Sequence, residues 1–177
     1  MIGIIAYGSL INRQEIKNQR EHPVLAIPIR LETFKRSFNQ QPAWRNGSGT
    51  HSAVLNIQTS EQNWLNAVCF CYAEFDFKTL DIRERGYSRT TVTADKITSY
   101  QGYHLPGLKE VYIYLGKGEF RNNTLLPNPD YLDICLTGAI SWSDKFYRDF
   151  LNTTHINSGI LLRDYLQFHK QTGQRSM

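Results

Sequence analysis

Two short stretches carry the side chains best suited to chemistry. The first runs from Leu80 to Val92, reads Leu-Asp-Ile-Arg-Glu-Arg-Gly-Tyr-Ser-Arg-Thr-Thr-Val, and holds the carboxylate of Glu84. Asp76 has the character of an N-cap, and Phe77, Leu80, Asp81 and Glu84 follow at helical spacing on one face. The expected helix ends at Gly86, a residue free to turn left-handed, and an alternating β-branched run begins at Tyr87. Glu84 is therefore expected in the last helical turn, on the side that carries Leu80 inward. Desolvation and the negative end of the helix dipole both disfavour its ionised form. They push its pKa upward, the direction a proton-shuttling base needs near neutral pH. A surface helix in which Arg83, Glu84 and Arg85 are merely hydrated fits the same pattern.

The second stretch is Tyr7-Gly8-Ser9-Leu10. It interrupts an almost continuous apolar run, Ile2 to Ala6, of the kind a strand buried on both faces carries. Asn12, three residues ahead of Glu15, then opens a short helix with capping-box spacing. A strand, a glycine turn and a helix start present unpaired backbone N–H groups to a carboxylate or an oxyanion. An ordinary tight turn in which Gly8 relieves strain reads equally well.

Other chemistries fare worse. His22, His51, His104, His155 and His169 are scattered with no paired spacing, so no metal is expected. Gly116-Lys117-Gly118 lacks the remaining residues of a phosphate-binding loop, and no Gly-x-Ser-x-Gly elbow occurs. The three cysteines, Cys69, Cys71 and Cys135, are an odd number without zinc spacing, and Cys69 and Cys71 share one face of a strand as small core residues. What remains is one anion-binding turn and one tuned carboxylate, a combination suited to proton transfer on a small acidic metabolite without a cofactor.

Composition sets the frame for these residues. The 177 residues are 41% hydrophobic and 20% charged, which indicates a single domain over 1–177 with a sizeable core. A net charge of +4 with dispersed Lys and Arg permits an anionic substrate but gives no clustered basic face for nucleic acid. The apolar N-terminus lacks a basic leader and a cleavage site, and no apolar run reaches membrane-spanning length. A reduced, cytoplasmic protein is expected, free of membrane and of nucleic acid, as a monomer or homodimer.

The elements that must position the two stretches follow from periodicity. Strands are expected at Ile2 to Ala6, Val24 to Asn39 (bent near Pro23 and Pro28), His51 to Gln58, Asn66 to Phe75, Ser88 to Ala94 and, last, Glu110 to Leu115. Loops fall at Gln40 to Thr50, where Trp44 either caps a pocket or pins the loop, and at Gln101 to Gly107, which contains Tyr103. Helices are expected over Asp130 to Ala139, Ser143 to Leu151 and Gly159 to His169. Phe146, Phe150 and Leu151 form an apolar stripe on the second, and Ile160, Leu161, Tyr165 and Phe168 one on the third. The fold class is α+β, with a mixed, strongly curled, barrel-like sheet, short helices and a helical C-terminal part.

Four segments, in order, resemble the gamma-glutamylcyclotransferase superfamily, including its ChaC-like branch. They are Ala6 to Leu10 after a first strand; Phe34-Lys-Arg-Ser-Phe38 ahead of a Trp-bearing loop; Glu84, Tyr87, Arg89 and Val92 in a Glu-x-x-Tyr-x-Arg-x-x-Val pattern; and Pro127 to Tyr131 continuing to Cys135-Leu-Thr-Gly-Ala139. The resemblance implies a cofactor-free cyclisation, of lyase or acyl-transfer type. A γ-glutamyl amide or peptide becomes 5-oxoproline and releases its amine or amino acid. It implies Glu84 as the general acid/base, and Tyr7, Gly8, Ser9, Leu10 and Tyr131 as contacts to a small γ-glutamyl substrate. Arg89 and Tyr87 are read as structural and Asp81 as supporting. The competing class is a non-catalytic module on the same fold that binds a small acidic ligand or nucleic acid.

Overall fold

The computed structural model describes residues 1–17, 22–42, 49–100, 102–156 and 159–171. Its centre is β1 (Ile2–Ala6), paired antiparallel with β3 (Val54–Tyr72) and parallel with β6 (Glu110–Gly116). Ile4, Ile5 and Ala6 are all buried, as a strand covered on both faces requires. β4 (Tyr87–Thr91) borders β6. On the far side of β3 lies β2 (Leu25–Gln40), whose outer edge is shared by two short strands. β5 (Ile97–Ser99) takes Ile29–Leu31, and β7 (Thr154–Ile156) runs parallel to Arg36–Phe38. β8 (Ile160–Leu161) completes the mixed eight-stranded sheet, in the order β4-β6-β1-β3-β2-β7-β8 with β5 beside β2.

The expected barrel-like closure does not form. The pairing is an open path, and no ladder joins β4 to β8 among the described residues, so the sheet neither closes nor curls strongly. Both ends are short strands, of five and two residues, without the length to complete a barrel.

Two expected strands, His51 to Gln58 and Asn66 to Phe75, are instead one 19-residue strand, β3. The polar stretch between them, for which no strand is expected, forms a large bulge within β3. Glu32 pairs with Trp64 and Phe34 with Thr59, leaving Thr33 alone opposite four residues. Thr33 takes φ 63°, a costly conformation for a β-branched residue, where the bulge bends the strand pair. Glu110 to Leu115 is also not the last strand, since β7 and β8 follow it. At three and two residues they are too short for periodicity to reveal, and so is β5.

The helices are closer to expectation. α1 (Arg13–Lys17) starts after Asn12, whose Oδ1 accepts from Gln14 N at 3.0 Å. α3 (Pro129–Ile140) is capped by Asn128 and α4 (Asp144–Thr153) by Ser143, each accepting from the N–H three residues on. Phe146 and Phe150 of α4 are fully buried. α5 (Leu162–Gln171) begins three residues later than expected, because Ile160 and Leu161 belong to β8. Its inward side is Leu162, Tyr165 and Leu166; Ile160 and Phe168, expected in the apolar stripe, are more than half exposed. All three cysteines are buried free thiols. No helix is long and apolar enough to cross a membrane among the described residues.

Candidate active site

At Tyr7 the chain leaves β1 and makes a single tight turn over Ser9–Ile11, closed by Ile11 N to Gly8 O and Asn12 N to Ser9 O, both 3.0 Å. Gly8 is needed for space rather than for a left-handed backbone, since its φ is −124°. A Cβ there would lie 2.5 Å from the Tyr131 hydroxyl. α3 presses on the turn through Gly138, where a Cβ would meet the Asn12 backbone nitrogen at 2.7 Å. Asn12 Nδ2 donates to Ile134 O (3.2 Å) and Trp142 Nε1 to Ile11 O (3.0 Å), which lock helix and turn together. Ser9 N–H reaches the Tyr131 hydroxyl at 3.3 Å, while the N–H groups of Gly8 and Leu10 have no acceptor among the described residues.

Beneath the turn lies Arg36 of β2, fully buried. Its Nη1 donates to the carbonyls of Tyr7 (3.2 Å) and Asn66 (2.8 Å), its Nε to Thr154 Oγ1 (2.7 Å), and its Nη2 to Asn66 Oδ1, Thr153 Oγ1 and Phe150 O. Each of these partners is a neutral oxygen. Burial lowers the guanidinium pKa to about 9, still well above neutrality, so the group stays charged. The C-terminal end of α4, which supplies Phe150 and Thr153, favours a cation there.

Glu84 comes from the other direction. α2 (Phe77–Arg83) is opened by Asp76 as expected but ends one residue early, so Glu84 is its C-cap (φ −93°, ψ 28°) rather than part of its last turn. Its N–H donates to Leu80 O, and its carbonyl accepts from Tyr87 N at 2.7 Å, closing the turn into β4. Among the described residues the left-handed glycines are Gly49, Gly102 and Gly159, so the exit foreseen at Gly86 is made without positive φ. The Glu84 side chain is 18% accessible, and its Oε1 lies 3.5 Å from Arg83 Nε. Asp81 accepts from the Tyr114 hydroxyl (2.6 Å) and lies 3.5 Å from Arg89, whose guanidinium stacks on Phe77 at 3.8 Å.

The turn and the carboxylate meet at one pocket of about 410 Å³, counted to its open mouth. Tyr7, Gly8, Ser9, Leu10, Glu84 and Tyr131 all line it, together with Ile4, Ile5, Ala6, Leu55, Tyr87 and Tyr114. Sequence reasoning missed Tyr114 and Leu55, which carry no local signal, and treated Tyr87 as packing only. Its hydroxyl does brace the wall by donating to Leu55 O (2.8 Å). Tyr103 is half exposed and does not line this pocket; Trp44 lies outside the described residues.

The phenols' electrostatics sort the chemistry. Tyr131 and Tyr7 are pushed well above the usual phenol range, chiefly by burial, with nearby Glu84 adding to the effect. Tyr114 rises for the same first reason and through its bond to Asp81. All three keep their protons at neutral pH; Tyr7 donates to the Tyr114 carbonyl and Tyr114 to Asp81, while Tyr131 accepts from Ser9 N–H. Among the described residues, no three His, Cys, Asp or Glu side chains gather as metal ligands.

Comparison with solved structures places the chain among known folds. It aligns over 96% of its length with 98% of a gamma-glutamyl cyclotransferase, at TM-score 0.62 and 18% identity. The chain has a gamma-glutamyl cyclotransferase-like fold. An uncharacterised human protein shares the fold at TM-score 0.58 and 19% identity, over 95% of this chain and 97% of its own. YkqA from Bacillus subtilis shares it at TM-score 0.62 and 17% identity, over 90% of this chain and 55% of its own. No protein-family model and no curated protein matches the sequence. In this cyclotransferase-like fold, β1, α2 and α3 each bring one part of the pocket wall.

Proposed function

We propose that the protein cyclises a γ-glutamyl amide or peptide to 5-oxoproline and releases the amine or amino acid, with Glu84 as general acid/base. The observation that supports this reading is the shared pocket: Glu84 lines the same cavity as Gly8 and Leu10, whose amides have no acceptor among the described residues. The substrate's α-amine attacks its own γ-carbonyl carbon, the new C–N bond closes the lactam, and the original amide C–N bond breaks. Of the three protons on the α-ammonium, one stays on the lactam nitrogen and two leave with the departing amine. Glu84 carries them across, work that typically contributes about 10²–10⁴-fold. Holding the folded conformer for intramolecular attack is worth on the order of 7–11 kcal/mol of barrier. The Gly8–Leu10 amides and the protonated Tyr131 supply donors for the substrate carboxylate or the developing oxyanion. The reading takes a small γ-glutamyl compound as partner, with no cofactor, metal, nucleic acid or membrane, in the cytoplasm, as a monomer or homodimer.

The test is release of 5-oxoproline from a panel comprising glutathione, γ-glutamyl dipeptides and γ-glutamyl amines. The expected result is turnover of at least one compound and its loss in Glu84→Gln. A wild-type protein that releases nothing from any of them overturns the reading.

A further inference from the structure

Three residues of β2 within five positions, Arg36, Phe38 and Gln40, are each completely buried. Each reaches a different part of the pocket wall. Arg36 holds the Tyr7 carbonyl at 3.2 Å, at the base of the anion-binding turn. The ring of Phe38 stands edge-on to Tyr131, with centroids 6.2 Å apart and planes at 88°. Gln40 Nε2 donates to Gly86 O at 3.0 Å and approaches Lys117 O at 3.5 Å. Gly86 belongs to the turn that sets Glu84, and its carbonyl also accepts from Lys117 N. The register slips between Phe38 and Gln40, where Asn39 has no residue opposite, and such a bulge re-aims the side chain that follows it.

We propose that this run of β2 is the alignment strand of the site: Arg36 positions the substrate-binding turn, Phe38 positions Tyr131, and Gln40 positions Glu84. None of the three lines the pocket, so they are positioning residues and not catalytic ones. Burial itself argues for the role. A fully buried amide whose Oε1 has no hydrogen-bond partner is a costly way to fill space, since an apolar side chain of similar volume avoids that penalty. What Gln40 supplies that such a side chain cannot is a donor to the Gly86 carbonyl. The same logic separates the effects. Loss of the Gln40 bond loosens the proton carrier and leaves the binding turn in place, whereas a change at Arg36 disturbs the turn and leaves the carboxylate.

The proposal rests on the cyclotransferase reading, and the experiment separates the two. With a γ-glutamyl substrate that turns over, Gln40→Met is expected to lower kcat at least tenfold with KM within threefold. Arg36→Lys is expected to raise KM at least tenfold with kcat within threefold. In a Glu84→Gln background, Gln40→Met is expected to have no further effect on rate. Equal changes in kcat and KM for both variants, or an unchanged kcat in Gln40→Met, overturn the proposal. If Arg36→Lys does not fold, Phe38→Leu takes its place with the same expected KM effect. If the wild-type protein turns over no γ-glutamyl compound, the cyclotransferase reading fails but the alignment proposal is still decided by NMR. Gln40→Met should then move the ¹³C titration of the Glu84 carboxylate while leaving the Tyr131 ring signals in place, and Phe38→Leu should do the reverse. Coincident shifts in both variants, or none, overturn it.

Discussion

Arg36 and Glu84 are two charges on one scaffold, handled in opposite ways. The guanidinium is sealed, fully buried and surrounded by neutral oxygens from the turn after β1 and from β3, α4 and β7. The carboxylate belongs to a residue that lines the pocket, part-exposed, beside a cation and within the field of several phenols. A charge that is enclosed and saturated with donors or acceptors organises structure, because any change in its protonation would strand its partners. A charge at a cavity with adjustable surroundings can take up and return a proton at little structural cost. Under the proposed function, the first charge serves stability and the second chemistry.

Replacing Arg36 by Met tests the first half hardest. It leaves the Tyr7 and Asn66 carbonyls, the Asn66 amide oxygen and two threonine hydroxyls without their donor in a dry core. A loss of about 3–5 kcal/mol is expected, read as a lower midpoint in urea unfolding. A midpoint within experimental error of wild type would mean that the guanidinium is not a structural centre.

Glu84→Gln should show the inverse profile. The ion pair with Arg83 is part-exposed and worth under about 1 kcal/mol, and Gln keeps the size and hydrogen-bonding capacity of the side chain, so the urea midpoint should move far less than in Arg36→Met. Release of 5-oxoproline, in contrast, should fall by about two orders of magnitude or more. A variant that unfolds early yet keeps its turnover would reverse the assignment of the two charges.

How much of this contrast is legible in the sequence depends on the range of each interaction. Glu84 and the Tyr7–Leu10 turn stand out because local signals frame them: an N-cap at Asp76, a glycine after an apolar run, a capping pair at Asn12 and Glu15. Arg36 has no such frame. Within Phe34 to Phe38 it reads as one of two strand cations, and its partners lie 29 to 118 residues away in the chain. The same holds for Tyr114, brought to the pocket by pairing of β6 with β1. Short strands are lost for a related reason: β7 exists because β2 offers an edge beside Arg36, not because three residues favour extension. The polar middle of β3 misleads in the other direction, since a bulge facing solvent has the composition of a loop.

Gly8 tests how tightly the open site is built. A methyl group there would fall 2.5 Å from the Tyr131 hydroxyl but 3.7 Å from the ring carbon behind it. Gly8→Ala should therefore cost about 1–3 kcal/mol through overpacking. In a Tyr131→Phe background, where the hydroxyl is gone, most of that cost should vanish. A double-mutant cycle in urea measures the difference, and additive effects would show that the two groups do not touch.

The smallest expected effect sits beside the sealed charge. His155, on β7, lies with its Nδ1 3.4 Å from the Arg36 carbonyl oxygen, and burial, reinforced by Lys35, lowers its pKa below the usual 6.5. As pH falls, the unfolded chain binds this proton first. The stability that neutral His155 contributes is thus complete above pH 6.5 and is lost as pH falls through its lowered folded pKa. His155→Gln should leave the unfolding midpoint unchanged at pH 7.5 and flatten its decline as pH falls below 6.5. If the decline is as steep in the variant as in wild type, the proton is taken up elsewhere. The positive surroundings of Arg36 would then not extend to its half-exposed neighbour, and the boundary between the sealed region and the titrating surface would lie inside β7.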